Sequence, residues 1–223
     1  VFADNTVFKG HAGFAIGSVV RQGVKNISVR NETFIGTDTG LRFKSAIDRG
    51  NVVEGIYIEN IRMKDIVNEA ILFDMHYQNI GEGIETSPAD ALVPQYRNIR
   101  ISHVTVDGAA QAVRMDGLGF TPLQDIEMSD LVISAKTGFA ANDAKNVQLR
   151  NVRIIPAAGP AFTLEDCRDF SLDHAPVHAG TDTFMAVRGA KSGGIQLLNT
   201  DTSALVRPFV FDGGASAAAL IRK

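Results

Sequence analysis

Tryptophan is absent from the 223-residue chain, and only three tyrosines are present. A sugar-binding platform of stacked aromatic rings is therefore not expected. The single cysteine, Cys167, excludes an internal disulfide and reads as a small buried hydrophobe. No apolar run approaches the roughly 20 residues that span a bilayer. Neither sign of charge dominates: 22 basic and 25 acidic residues leave a net charge of −3. That balance argues against nucleic acid or an anionic membrane as a partner. No pair of Cys or His residues has metal-ligand spacing, and no Gly-rich loop has a phosphate-binding context, so neither a metal nor a cofactor is expected. Position 1 is Val, with no charged-then-apolar leader after it, which leads us to expect a processed chain or a fragment.

What is present is a repeat. Segments NISVRNETF (26–34), GIYIENIRM (55–63), NIRISHVTV (98–106), DIEMSDLVI (125–133), NVQLRNVRI (146–154), DFSLDHAPV (169–177) and GIQLLNTDT (194–202) share one pattern. Their second and fourth positions are apolar and the positions between are mostly polar, which is strand periodicity. The sixth position reads Asn31, Asn60, His103, Asp130, Asn151, His174 and Asn199. These residue types tolerate left-handed backbone better than other non-glycine residues, so a sharp bend is predicted there in every repeat.

A shorter apolar strand follows most segments: GLRFKS, EAILFDM, AVRMDG, AFTLEDC, FMAVRG and PFVFDG. The repeats start 29, 43, 27, 21, 23 and 25 residues apart, and the longest interval holds a predicted loop from about Gln78 to Arg97. Short strands at such a period, without helical patterning between them, predict an all-β chain: a single parallel β-helix domain over residues 1–223. The competing antiparallel sandwich would need hairpin dipeptides in a fixed phase. Asp107-Gly108, Asp116-Gly117 and Asp212-Gly213 keep no common phase. A short capping helix is a further expectation for the tail GGASAAALIRK.

Candidate chemistry clusters near the start of the chain. Aligning GFAIGS with GLRFKS puts His11 in a turn, at the position Asp38 holds one coil later. Arg42 and Lys44 are two apart on a strand, so both leave by one face while Leu41 and Phe43 take the other. Two adjacent cations repel unless an anion is near; a ligand carboxylate or Asp38 could supply it. His103 and His174 are explained by the bend position, and His178 reads as surface. His76 flanks Tyr77 and is a candidate cleft residue. Asn26-Ile27-Ser28 and Asn31-Glu32-Thr33 match the glycosylation pattern but fall on predicted strands.

The stretches KGHAGFAIGS, FIGTDTGLRFKS, GIYIENIRMKDI and NEAILFDMHY resemble the bacterial branch of glycoside hydrolase family 28, the polygalacturonases. The resemblance covers Val1 to about Tyr77 and includes the family's Gly-His-Gly, here Gly10-His11-Ala12, and its Arg-Ile-Lys, here Arg42-Phe43-Lys44. It implies a right-handed parallel β-helix that hydrolyses pectic α-1,4 galacturonosyl bonds by inversion. His11 would be a catalytic-site residue and Arg42, Lys44 and Tyr77 would bind substrate; His76, from its place beside Tyr77, is expected to join them. The family's Asn-Thr-Asp and Asp-Asp motifs, which supply acid and base, lie upstream of Gly-His-Gly, so the chain is expected to carry the basic subsite without them. Asp38, Asp65 and Asp74 lack a partner at defined spacing and are not expected to replace them. The implied partner is acidic pectic polysaccharide or oligogalacturonate, and the implied location is secreted or periplasmic. Two rivals remain at this stage: a non-catalytic β-helix that binds acidic polysaccharide, and a ligand-free structural solenoid. Self-association through an open first coil is also expected, with Phe2, Val7, Phe8, Phe14 and Ile16 at risk of exposure.

Overall fold

The computed structural model describes residues 1–79 and 92–223. Its strands fall into two sheets that the chain visits alternately, and every ladder between strands is parallel. Long strands such as Val24–Ile35, Val52–Lys64, Gln95–Asp107, Leu123–Ala135 and Ala144–Pro156 belong to the ten-stranded sheet. Short strands such as Ala12–Ile16, Thr39–Lys44, Glu69–Asp74 and Gln111–Asp116 belong to the eight-stranded one. Each long–short pair makes one coil, and successive coils stack in register. This is a parallel β-helix. Among the described residues there is no α-helix, and none long and apolar enough to cross a membrane.

The bends explain how one strand serves two faces. In Val52–Lys64 the buried residues run Ile56 and Ile58, then Ile61 and Met63. Simple alternation would turn the second pair outward; Asn60, at φ 56°, shifts the phase by one and turns it inward. The same phase shift recurs at Asn31, His103, Asp130, Asn151, His174 and Asn199, all at φ between 46° and 58°. Side-chain ladders link these corners: Asn60 donates to Asn31, Asn31 to Asp4, Asn151 to Asp130 and Asn199 to Asp173. A second column of bends opens each repeat, at Asn26, Gly55, Asn98, Asp125, Asn146, Asp169 and Gly194, with φ from 49° to 66°.

Inward residues of both sheets form a continuous apolar core. Phe43 and Phe73 stack inside it, and Tyr96 meets both edge-on. Cys167 is fully buried, which pushes its thiol up to about 12.

Several local expectations change. The tail forms a single 3-10 turn at Ala217–Ala219 and then a strand, Leu220–Arg222, paired with Ile195–Leu198; three alanines are too few to sustain a helix. A short strand at Thr137–Asn142 completes the eight-stranded sheet. The predicted loop at 78–97 ends earlier, because Gln95–Asp107 is a strand, and its residues 80–91 lie outside the described residues. In the first coil Phe2 and Phe8 are exposed, but Ile16 is buried and Val7 and Phe14 are half-buried against the core.

Candidate functional site

Parallel register creates the cluster. Ala12 pairs with Thr39, so the preceding residues, His11 and Asp38, occupy equivalent turns on successive coils. The strand Thr39–Lys44 leaves that turn with Leu41 and Phe43 fully buried and Arg42 and Lys44 half-buried on the opposite face. His11 Nδ1 lies 2.8 Å from Asp38 Oδ2, and Arg42 Nη1 lies 2.7 Å from His11 Nε2. Arg42 was expected to pair with Asp38 if no ligand were bound. Instead the imidazole stands between guanidinium and carboxylate.

Tyr77 closes the other side. Its backbone N–H donates to the Ser45 carbonyl, which ties the turn after Glu69–Asp74 back to the neighbouring coil. Lys44 Nζ sits 4.4 Å from the centre of the Tyr77 ring and 3.4 Å from its hydroxyl, and the Arg42 guanidinium carbon sits 5.7 Å from that ring. Both cations thus share one aromatic face. Among the described residues neither Arg42 nor Lys44 forms an ion pair with a carboxylate. The Arg42 Nε–H is buried with no acceptor. Orphaned buried donors are rare in proteins and mark where an acceptor is wanted.

His76 faces the other way. Its Nε2 donates to the Gly117 carbonyl at 2.8 Å, one coil beyond Tyr77, and its Nδ1 is buried without a partner. Arg42 aligns with Leu72 and then Arg114; Lys44 aligns with Asp74 and then Asp116. Charge therefore reverses within one coil along the row that starts at Lys44. Arg114 Nη2 lies 2.6 Å from Asp116 and its Nη1 3.8 Å from Glu69. Burial pushes the Asp74 carboxyl up, and the charge of Asp116 beside it adds to the effect. Asp65 sits in a turn at φ 53°, its N–H bonded to the Asp107 carbonyl.

The side chains of His11 and Asp38 are exposed, and Arg42, Lys44 and Tyr77 are half-buried. Grooves of about 670 and 720 Å³ lie elsewhere, around His174–Leu205 and around Asp65, Lys136 and His178. Neither includes His11, Arg42, Lys44 or Tyr77. Among the described residues no group of His, Cys, Asp and Glu could hold a metal.

The sequence model of glycosyl hydrolases family 28 matches residues 1–142. A polygalacturonase of Ralstonia solanacearum is 32% identical over 126 residues, covering 54% of this chain and 22% of that protein. An exo-poly-alpha-D-galacturonosidase of Dickeya chrysanthemi is 25% identical over 155 residues, covering 66% of this chain and 25% of its own length. An endopolygalacturonase I of Aspergillus oryzae is 31% identical over 115 residues, covering 50% and 29% respectively. The match thus spans between about a fifth and three tenths of the length of these relatives. No solved structure matches the chain.

Proposed function

The chain belongs to family 28 of the glycosyl hydrolases, and from that premise we propose that it carries the galacturonate-binding part of a pectin-degrading hydrolase. Arg42 and Lys44 bind the carboxylate of a galacturonosyl unit through charge-assisted hydrogen bonds. Tyr77 supplies one wall for the sugar and shields both cations from water. The observation that carries this reading is a pair of cations over the Tyr77 ring that, among the described residues, have no carboxylate partner.

The reaction is inverting hydrolysis of α-1,4 galacturonosyl bonds. Inversion uses two carboxyl groups, one to protonate the leaving oxygen and one to activate water, about 6.5–9.5 Å apart. We assign those to the family's Asn-Thr-Asp and Asp-Asp motifs and not to Asp38, Asp65 or Asp74. Asp38 is engaged with His11, Asp65 serves a turn, and Asp74 accepts the His76 N–H. The working place is outside the cytoplasm, where pectin is met.

The second reading, a carbohydrate-binding β-helix without catalysis, is favoured by the lack of a free carboxyl pair among the described residues of the cluster. Titration calorimetry with oligogalacturonate and neutral galactan tests the subsite: tighter binding of the charged ligand is expected, and equal binding would remove Arg42 and Lys44 from it. Reducing-sugar release from polygalacturonate by these 223 residues tests where the acid and base lie. None is expected, and release abolished by Asp38→Asn or Asp74→Asn would reassign the acid and base to this chain.

A further inference from the structure

We propose that Asp38 and His11 are positioning residues for Arg42: a carboxylate–imidazole–guanidinium relay that holds the cation ready for an anionic ligand. The inference rests on the galacturonate reading of the subsite and adds what makes that subsite charge-selective.

Hydrogen-bond chemistry fixes the proton. Arginine offers donors only, so His11 Nε2, 2.7 Å from Arg42 Nη1, must accept with its lone pair. The ring proton then sits on Nδ1 and is donated to Asp38 Oδ2 at 2.8 Å. The imidazole is neutral, in a single tautomer, and its Nε2 is occupied. In that state it cannot give or take a proton at the nitrogen that faces the other site residues. Its work is to pin one guanidinium nitrogen.

The order of the three groups matters. A carboxylate placed directly against Arg42 would fill the bidentate fork that a ligand carboxylate needs. Interposing a neutral ring keeps the Asp38 charge one imidazole away while still fixing the guanidinium. Among the described residues Nη1 is the one guanidinium nitrogen with a hydrogen-bond partner, which leaves the Nη2 donors for the ligand. Pinning Nη1 also removes side-chain freedom before the ligand arrives, which is how preorganisation raises affinity. The spacing is built into the fold, because His11 and Asp38 immediately precede the register partners Ala12 and Thr39 on adjacent coils. Both are well exposed, at 72% and 47% of the side chain, so changing them leaves the core intact.

The test uses trigalacturonate and its fully methyl-esterified counterpart in calorimetry, with ¹⁵N NMR of the His11 ring at mildly alkaline pH. In the unmodified chain the ring is expected to show a proton-bearing Nδ1 and a bare Nε2. His11→Leu and Asp38→Leu are expected to weaken trigalacturonate binding by about tenfold or more, the scale of one charged hydrogen bond, while leaving the ester unchanged. His11→Gln, which keeps an acceptor for Arg42 and a donor for Asp38, should restore most of the loss. A proton on Nε2 in the unmodified chain, unchanged trigalacturonate binding by Asp38→Leu, or equal loss for both ligands would overturn the relay. If the unmodified chain does not distinguish the two ligands, the galacturonate reading fails, while the ring spectrum still decides the relay.

Discussion

Phe43 and Phe73, register partners on adjacent coils, stack with their rings 2° from parallel and 4.4 Å between centroids. Tyr96 caps the pair edge-on from the facing sheet, at 6.1 and 6.3 Å. The stack lies directly beneath the cluster, since Phe43 sits between Arg42 and Lys44 and turns the opposite way. Phe73→Ala should therefore cost about 3–5 kcal/mol, the range for emptying a buried aromatic position. Chemical denaturation measures the loss, and hydrogen exchange should place the lost protection in the coils of residues 39–44 and 69–74. A loss under 1 kcal/mol would mean that the core refills around the gap.

The corners of the fold were legible because their residues have few other reasons to recur. Asn, Asp and His in one phase of seven repeats marked the sixth position, and each proved left-handed. The first position carries the same signal, Asn, Asp or Gly throughout, and it too is left-handed in every repeat. Strand Thr137–Asn142 was hidden by its composition: with only Phe139 bulky, its inward face is shaped by Gly138 and Ala141. At the site, the repeat alignment placed His11 opposite Asp38 and set Arg42 and Lys44 on one face. It could not decide which of several polar tips would meet, because that depends on side-chain reach across coils. Hence Asp38 stands beside a ligand carboxylate as a possible counter-ion in the sequence, whereas in the structure the His11 imidazole lies between Asp38 and Arg42.

Asn151 tests the corner rule. It sits at φ 52° and donates to Asp130 at 2.7 Å. Asn151→Ala should destabilise the chain by about 1–2 kcal/mol, the penalty for left-handed backbone with a plain Cβ. Asn151→Gly, free of that penalty, should cost less. The reverse order in urea denaturation would show that the side-chain ladder, and not the backbone, sets the corner.

Gly17 tests how the first coil supports the subsite. It adopts φ 117°, and a Cβ there would run into the Lys44 carbonyl oxygen. Gly17→Ala must move either the turn or Lys44, with strain of about 1–3 kcal/mol. Thermal stability and trigalacturonate binding should both fall. Gly193, where a Cβ would meet nothing, provides the comparison: Gly193→Ala should leave both unchanged. Normal binding by Gly17→Ala would separate Lys44 from the subsite.

Asp74 should make stability depend on pH in the direction opposite to an ordinary paired carboxylate. Its carboxyl is pushed up by burial first; the His76 N–H pulls it down, the Asp116 charge pushes it up again, and Arg114 and His76 offset part of that. A folded-state value above the unfolded one means that the folded chain holds the proton more tightly. The stabilisation is then complete below the usual carboxylate range and is lost as pH rises through the raised value. Once the pH has passed that raised value the folded chain carries an ionised, partly desolvated carboxylate beside a second one. Asp74→Asn removes that charge and keeps an oxygen to accept the His76 N–H, 2.9 Å away. The variant should therefore melt higher than the unmodified chain at neutral pH, and the difference should shrink as the solution is acidified and Asp74 takes up its proton. Asp143, pushed up chiefly by burial, contributes to the background slope in both proteins and cancels in the comparison. A set of thermal melts from acid to neutral pH reads the effect. If Asp74→Asn melts lower at neutral pH, its charge is held by Arg114 more strongly than burial opposes it, and the reversal of charge beside Lys44 is then a stabilising contact instead of a cost.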